Sequence, residues 1–309
     1  MRKILLLFLL LVGLATAETA FGAGVANYKQ KAYDAAIANF TSAIAANEQL
    51  ANAYYNRGQC YYFTGRYDEA IADYTSCLKV GGNRVNSYFQ RGLAQHRKSN
   101  YDAAIADYSE GLKLAPADPE LWYNRGLSHF HKGDLDLAKA DYDQAIALRP
   151  NYAKAFCNRG NVWSRRKDHA KAIADYSKSI ELDSNGVEAR DNRGLAYLNQ
   201  IPRDIELALV DFTRAIELSP QYAKAWRDRG IAYFYKKDYP KAISDWSQAI
   251  LLDPDHAGTY LMRGGVREES GDKAGALADY RESLKRDPNN KNAQRAVTRL
   301  EATVPPSSP

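Results

Sequence analysis

The stretch Asp68–Leu78 reads DEAIADYTSCL, and in the next copy of the same pattern Asp102–Leu112 reads DAAIADYSEGL. An Arg-Gly pair precedes each of these stretches and recurs along the chain at one fixed interval, with a single longer exception. The pairs are Arg57-Gly58, Arg91-Gly92, Arg125-Gly126, Arg159-Gly160, Arg193-Gly194, Arg229-Gly230 and Arg263-Gly264. Self-similarity at a fixed period of this size predicts a repeat array in which neighbouring copies stack on one another.

Each copy has the pattern of two helices joined by a turn. Around Gly58, the aromatic residues Tyr54 and Tyr61 recur at helical spacing, and Ala70 and Tyr74 do so on a second segment. Glycine suits the left-handed end of a first helix, and proline cannot continue a helix, so both residue types mark boundaries. These residues are Gly65, Gly133, Gly271, Pro116, Pro150, Pro220, Pro254 and Pro288.

Two irregularities of the period help to count the units. The longer interval, from Gly194 to Gly230, has two extra residues near Ile201-Pro202, which we place in the turn between two helices. A turn tolerates an insertion, whereas a helix would rotate its apolar face. A step of one period back from Gly58 reaches Gly24, and Asp34–Ile44, DAAIANFTSAI, follows it as a degenerate first copy. The chain is therefore predicted to have about eight units.

The recurring positions resemble the tetratricopeptide repeat family. They are an aromatic residue four before the glycine, the glycine itself, an alanine twelve after it and an aromatic residue four further on. The first of these sets consists of Tyr54, Tyr88, Trp122, Phe156, Trp226 and Tyr260. One departure is the arginine before the glycine, where the family usually has leucine. The resemblance implies an all-α, right-handed α-solenoid of helix-turn-helix units, whose first helices line a concave groove for ligands.

The period also sets the expected domain organisation. The units are expected at about residues 18–50, 51–84, 85–118, 119–152, 153–186, 187–222, 223–256 and 257–290. Residues 291–302 are predicted to form a capping helix, because Ala293, Ala296, Val297 and Leu300 share one face and the other faces are polar. Residues 303–309, rich in proline and serine, are predicted to be a disordered tail.

Residues 1–17 have the pattern of a secretory signal peptide. Arg2 and Lys3 precede the apolar run Ile4–Leu14, and Ala15-Thr16-Ala17 supplies the small-x-small cleavage pattern. The run is short for a membrane span. We therefore expect cleavage before Glu18 and an exported protein, either periplasmic or secreted. An uncleaved membrane anchor is the alternative.

The composition excludes few classes of function. The chain is 45% apolar and 26% charged, as expected for a folded protein, and its formal net charge of +5 includes no block of lysine or arginine. This charge pattern gives no indication of nucleic-acid binding. Cys60, Cys77 and Cys157 form no C-x-x-C motif. Buried free thiols are one interpretation, and a Cys60–Cys77 disulfide is the other.

The arginines of the repeat have candidate partners within the sequence. Every copy with the arginine also has an aspartate before its second-helix aromatic residue, and the first copy has Ala23 and Asn39 instead. A charge close to a helix–helix contact must be paired, because an unpaired one costs several kcal/mol. We therefore predict structural ion pairs within the repeats, namely Arg57–Asp73, Arg91–Asp107, Arg125–Asp141, Arg159–Asp175, Arg193–Asp211, Arg229–Asp245 and Arg263–Asp279.

The candidate ligand-binding positions lie two residues before each glycine. They are Asn56, Gln90, Asn124, Asn158, Asn192 and Asp228, followed by Met262. Side-chain amides can both donate to and accept from an extended peptide backbone, and similar asparagine ladders hold peptides in some members of the family. The alternative is that these amides only satisfy neighbouring helix ends. Three before the glycine, Tyr55, Phe89 and Tyr123 either anchor a partner or pack between first helices.

These patterns favour a protein-interaction scaffold that holds a protein or peptide segment in its groove, with no cofactor and no catalytic role. His96, His129, His131, His169 and His256 fall at different phases of the repeat, so no metal site is expected. No phosphate loop, nucleophile elbow or H-E-x-x-H motif occurs. A self-associating envelope scaffold or assembly factor is the alternative function.

Overall fold

The computed structural model describes residues 19–302, and within this range the chain consists of α-helices and connecting turns, with no strand. The all-α repeat fold predicted from the sequence is confirmed. The helices are α1 Ala20–Lys29, α2 Tyr33–Ala45, α3 Leu50–Phe63, α4 Tyr67–Lys79, α5 Arg84–Arg97, α6 Tyr101–Leu114, α7 Pro119–Lys132, α8 Leu135–Leu148, α9 Ala153–Arg165, α10 His169–Leu182, α11 Val187–Asn199, α12 Ile205–Leu218, α13 Ala223–Tyr235, α14 Tyr239–Leu252, α15 Ala257–Glu269, α16 Lys273–Arg286 and α17 Lys291–Glu301. The predicted signal peptide and disordered tail lie outside the described residues.

The chain divides into two compact units, which meet in sequence after Pro150. The first unit contains the helix pairs α1–α2 to α7–α8, and the second contains α9–α10 to α15–α16 followed by α17. Within each pair, the odd-numbered first helix packs along the even-numbered second helix, and each second helix also contacts the next first helix of its unit. The insertion near Ile201-Pro202 lies between α11 and α12, in the turn where we expected it.

The second-helix aromatic residues form the centre of each helix pair. Tyr74 and Tyr108 are fully buried, and their rings lie directly against the glycines of the first helices. A Cβ atom on Gly58 would lie 2.9 Å from Tyr74 Cε1, and one on Gly92 would lie 2.7 Å from Tyr108 Cε1. These distances are too short for any side chain, so the repeated glycine is required for the close approach of the ring.

The turn inside seven of the eight pairs contains a residue with left-handed backbone, whereas the longer turn between α11 and α12 contains none. Gly65, Gly133 and Gly271 have φ values of 77°, 97° and 88°. At the equivalent places of other repeats, residues with a side chain adopt the same conformation with φ of 60–62°: Lys31, Ser99, Lys167 and Lys237. The geometry of the turn is therefore the same whether or not glycine occupies it, and the other residues adopt a backbone that disfavours a Cβ.

Helix α17 covers the last helix pair. Ala296 and Leu300 are buried against Leu277 and Tyr280 of α16, while most of the remaining side chains of α17 are exposed. This arrangement buries an apolar face that would otherwise be open to water. The three cysteines are free, and Ser87 donates a hydrogen bond to Cys77 Sγ over 3.2 Å.

Candidate partner-binding face of the first helices

Each arginine of the Arg-Gly pairs contacts the aspartate of its own repeat. Arg57 Nε and Nη2 donate to Asp73 Oδ2 and Oδ1, each over 2.8 Å. The same bidentate contact occurs, with distances of 2.6–3.0 Å, in Arg91–Asp107, Arg125–Asp141, Arg159–Asp175, Arg193–Asp211, Arg229–Asp245 and Arg263–Asp279. These aspartates are only 2–6% exposed. Burial raises the pKa of the Asp73 carboxyl, and the guanidinium opposes that shift.

The remaining nitrogen of the guanidinium reaches the repeat before it. Arg91 Nη1 donates to Thr75 Oγ1 over 2.9 Å, and Arg263 Nη1 donates to Ser247 Oγ over 2.8 Å. Equivalent bonds are Arg57–Thr41, Arg125–Ser109, Arg193–Ser177 and Arg229–Thr213. The arginine therefore joins two successive repeats, in addition to the two helices of its own repeat.

The aromatic residue that marks the repeat covers this guanidinium. The Cζ atom of Arg125 lies 4.7 Å from the ring centroid of Trp122, and that of Arg229 lies 5.0 Å from the ring of Trp226. Tyr54, Tyr88, Phe156 and Tyr260 hold the same place over their arginines. A cation above an aromatic face is favourable, so the ring, the arginine and the aspartate form one structural group.

In the first unit, the predicted amide positions lie half-buried on α3, α5 and α7. Asn56 Nδ2 donates to Asn52 O over 2.9 Å, and Asn124 Nδ2 donates to Glu120 O over 2.8 Å. Neither Oδ1 atom accepts a hydrogen bond within the described residues. Gln90 holds the same position on α5 and is also half-buried. The amides of Asn56 and Asn124 therefore retain free acceptors at one register of the repeat.

The flanking aromatic residues of the first unit pack on the core. The ring centroids of Tyr55 and Tyr74 are 5.8 Å apart, and those of Phe89 and Tyr108 are 6.0 Å apart. Tyr123 lies in the same position, 5.9 Å from the ring of Tyr142. All three flanking rings are half-buried, so packing explains their aromatic character while one part of each ring remains exposed.

In the second unit, the amides form a continuous chain across three first helices. Asn161 Nδ2 donates to Asn158 Oδ1 over 3.1 Å, and Asn192 Nδ2 donates to Asn161 Oδ1 over 3.0 Å. Lys224 Nζ then reaches Asn192 Oδ1 at 3.3 Å. The chain thus connects α9, α11 and α13 through side chains alone.

This chain ends in a buried acidic group. Asp191 is 0% exposed and Asp228 is 4% exposed, and both contact the ammonium of Lys224. Arg227 Nε lies 3.6 Å from Asp228 Oδ1. Burial raises the pKa of Asp191 to about 6, with a further contribution from the neighbouring carboxyl, and burial also raises the pKa of Asp228. Asp228 is therefore an internal member of this group and presents no free carboxylate.

The described residues present no arrangement for catalysis by a metal. No group of three histidine, cysteine or acidic side chains is placed to hold a metal ion in the range 19–302. Burial lowers the pKa of His96 to about 4, and its Nδ1 lies 2.9 Å from Ser128 Oγ, so this ring is neutral and internally satisfied. Cys60 is buried, which raises its thiol pKa to about 11 and disfavours the reactive thiolate.

Comparison with known families agrees with this geometry. Models described as tetratricopeptide repeat match residues 51–81, 119–152, 153–185, 223–256 and 257–290, and one described as TPR repeat matches residues 96–133. Together these ranges cover more than half of the chain. The chain belongs to the tetratricopeptide repeat (TPR) family. No curated protein matches the TPR chain in a sequence comparison.

Several solved TPR structures share the fold. The Cut9 complex with Hcn1, described as an APC/C hetero-tetramer, aligns with a TM-score of 0.67 at 18% identity over 87% of this chain. The chain covers 52% of that structure, about half of its length. A tetratricopeptide repeat protein from Parabacteroides merdae aligns with a TM-score of 0.64 at 16% identity, covering 82% of this chain and 99% of its own. YrrB, a TPR protein with an unusual peptide-binding site, aligns with a TM-score of 0.50 at 20% identity, covering 62% and 97%.

Several residues of this TPR face are not among the positions predicted from the sequence. The hydroxyl groups that accept from the arginines directly follow the second-helix aromatic residues, as in Tyr74-Thr75 and Tyr108-Ser109, so their recurrence is visible in the sequence. Asn161 and Lys224, which complete the amide chain, have no such recurrence. Among residues 19–302, no helix is both long and apolar enough to cross a membrane.

Proposed function

We propose that this TPR chain is an exported protein-interaction scaffold that holds an extended segment of a partner protein along its first helices. TPR scaffolds serve protein interaction in general. The binding face on the first helices and the extended form of the bound segment are the parts that we propose. One observation carries this choice: half-exposed amides stand at one register on successive first helices, and those of Asn56 and Asn124 keep an unused Oδ1 acceptor.

The chemistry of the amides suits an extended peptide. A peptide backbone offers one N–H donor and one C=O acceptor per residue, and a carboxamide can meet either of them. Because such contacts use the backbone of the ligand, they tolerate many ligand sequences. YrrB has a peptide-binding site on this fold, which supports the same use here.

Export rests on the N-terminal pattern. Residues 1–17 combine a basic start, an apolar run and a small-x-small motif, which together favour secretion and cleavage before Glu18. The partner would then be another exported or envelope protein. Mass spectrometry of the protein isolated from its own cell tests this part, because a chain that still begins at Met1 would contradict cleavage.

Affinity capture from the envelope fraction tests the proposed binding face. The variant with Asn56 and Asn124 both changed to alanine should lose the captured partner, while circular dichroism remains that of the wild type. A control variant changes two exposed amides outside the first helices, Gln144 and Asn185, to alanine. Equal capture by the two double variants would refute binding by the amides.

Self-association is a second candidate function. Val210 and Leu207 on α12 are 64% and 45% exposed, and Leu251 on α14 is 76% exposed. Exposed apolar side chains on second helices favour contact with another protein surface. Light scattering distinguishes the two functions, because a mass that rises with concentration and falls in Val210→Glu supports self-association. A constant monomer mass would argue against it.

A further inference from the structure

The end of the second unit differs from the rest of the first-helix face. Met262 occupies the amide position of α15, and Gly265 occupies the position that Ile231 has on α13. A Cβ atom on Gly265 would meet only the hydroxyl of Tyr280, at 3.8 Å. The surface of α15 is therefore open at this point, where the other first helices have larger side chains.

An apolar cavity of about 450 Å³ lies beside this opening, between α13 and α15. Its walls include Ile231, Tyr235, Leu261, Met262 and Gly265. Glu269 also lines it, and its carboxylate accepts a hydrogen bond from the Tyr239 hydroxyl over 2.7 Å. The volume falls in the range of roughly 300–1,000 Å³ that is typical of ligand pockets. Since Tyr235 is still 41% exposed, the cavity is open to a side chain from outside.

A second cavity of about 370 Å³ adjoins the first and shares Leu261 with it. It lies toward α17 and is lined by the polar side chains of Asn292, Arg295 and Arg299. Glu268 holds Arg299 through two contacts of 2.7 Å. The side chain of Arg295 is exposed and makes no hydrogen bond or ion pair within residues 19–302. The same holds for the side chain of Asn292.

The two cavities together present an apolar wall and an unneutralised guanidinium on either side of one side chain, Leu261. A ligand that fills both must bring apolar volume and negative charge close together. Arginine pairs well with carboxylates, because its N–H groups match both carboxylate oxygens. Charge complementarity therefore selects an acidic group for the second cavity.

We propose that these cavities bind a partner segment in which a large apolar side chain stands beside an aspartate or glutamate. The apolar side chain enters the cavity over Gly265, and the carboxylate accepts hydrogen bonds from Arg295 and Asn292. This inference rests on the proposed function, since it names the partner chemistry that one end of the binding face selects.

Peptide display on the immobilised full chain tests the inference. The probe is a library of random linear dodecapeptides, presented to the wild type and to variants whose circular dichroism shows native helix content. We expect the wild type to enrich peptides with a large apolar residue next to an acidic one. Arg295→Glu should replace the acidic residue in the enriched peptides with a basic one, and Arg295→Ala should remove the preference for either charge.

Gly265→Leu tests the apolar cavity separately. A Cβ atom at this position meets only the Tyr280 hydroxyl, at 3.8 Å, so a leucine side chain should extend into the cavity and the apolar preference should disappear. Synthetic peptides with the enriched sequence should bind Arg295→Glu at least about tenfold more weakly than the wild type, the equivalent of about 1.4 kcal/mol. Lys79→Glu reverses an exposed charge in the first unit and serves as the matched control.

The outcomes separate the inference from the proposed function. Enriched peptides that lack the acidic residue, or that are unchanged in Arg295→Glu, overturn the inference and leave the scaffold function standing. If the wild type enriches no peptide at all, both are overturned. A dimer of the full chain that Arg295→Glu dissociates would assign the cavities to a second copy and would also overturn the inference.

Discussion

The Nη1 atom of Arg57 lies 2.9 Å from Oγ1 of Thr41, a hydroxyl on the second helix of the preceding repeat. The first repeat has lost its own arginine and aspartate, yet it retains this threonine, because Arg57 of the next repeat uses it. The fourth repeat has Asp143 at the equivalent position in the sequence, in place of a hydroxyl. The last repeat has Arg281 there, and no Arg-Gly pair follows it. Within each unit, a hydroxyl of one repeat therefore accepts a hydrogen bond from the arginine of the next repeat.

The hydroxyl bonds should contribute measurably to the coupling between repeats. Thr75→Val removes the acceptor of Arg91 Nη1 while keeping the shape of the side chain. We expect a loss of about 1.5–2 kcal/mol in the free energy of unfolding, the lower part of the range of about 1.5–3 kcal/mol for hydrogen bonds to charged groups, because the arginine keeps its bonds to Asp107. Urea unfolding measures this change.

Ser76→Ala is the matched control for Thr75→Val. The Ser76 hydroxyl donates to Ala72 O on the same helix, as the Thr75 hydroxyl does to Ile71 O, but no arginine contacts Ser76. Its substitution should change the free energy of unfolding by less than about 0.5 kcal/mol. Equal effects of the two substitutions would show that the contact to Arg91 contributes nothing.

The bidentate ion pairs should matter more than the hydroxyl bonds. Asp141→Ala leaves the guanidinium of Arg125 without its carboxylate, although that side chain is only 20% exposed. We expect the unfolding free energy to fall by about 3 kcal/mol, since removal of one partner leaves a buried charge unpaired. Asp255→Ala, at an exposed aspartate in a turn, should leave the thermal midpoint within about two degrees of the wild type. A midpoint for Asp141→Ala equal to that of Asp255→Ala would contradict a structural role for the pair.

The ion pairs could be predicted from the sequence because both members vary together along the chain. Ala23 and Asn39 replace them in the first copy only, so the partner of each arginine is fixed by counting. The hydroxyl after the second-helix aromatic residue recurs in the sequence, but its bond to the arginine was not predicted, because the recurrence does not identify the partner of the hydroxyl. Its meaning depends on the packing of one repeat against the next, which a linear period does not define.

For the amide positions, the sequence predicts the register but not the hydrogen-bond partners. Their register on the first helices follows from the period, but the partner of each amide does not. Asn56 binds a carbonyl of its own helix, whereas Asn192 binds a side chain on another helix, and both stand two residues before a glycine. Asp191 occupies the position that Tyr55 fills in an earlier copy, where the ring packs on the core. An aspartate three residues before the glycine, where earlier copies have a core-packing ring, therefore indicated a buried polar group in the sequence.

The left-handed turns offer a way to stabilise the fold. Lys167 has φ of 62°, which disfavours any residue with a Cβ by roughly 1–2 kcal/mol relative to glycine. Lys167→Gly should therefore raise the free energy of unfolding by about 1 kcal/mol, after the entropy cost of glycine in the unfolded chain is subtracted. The reciprocal change, Gly133→Ala, should lower it by a similar amount. Thermal unfolding of both variants shows whether each change stabilises or destabilises the fold. Stabilisation by both changes would contradict a cost of the left-handed backbone for residues with a Cβ.

The buried carboxyl of Asp191 predicts a specific pH dependence. Burial, Asp228 and the opposing charges of Lys224 and Arg227 set its pKa at about 6 in the folded chain, against about 3.9 in an unfolded one. Between these values the folded state binds the proton more strongly than the unfolded state does. The contribution of this carboxyl to stability is therefore complete below about pH 4, declines as the pH rises to about 6 and is level above it.

Asp191→Asn, which resembles the protonated form, should remove this dependence. Relative to the wild type, the variant should be nearly equal in stability at pH 4 and more stable by about 3 kcal/mol at pH 8, because a pKa shift of one unit corresponds to about 1.4 kcal/mol. Lys224 keeps Asp228 as its partner, at 3.5 Å, so its ammonium is not left unpaired. Urea unfolding of both proteins from pH 4 to pH 8 measures the difference, in which the titration of groups remote from Asp191 cancels. Asp255→Asn serves as the exposed control and should show no such trend. A difference between Asp191→Asn and the wild type that stays constant across this range would mean that Asp191 is ionised throughout, held by Lys224 despite its burial.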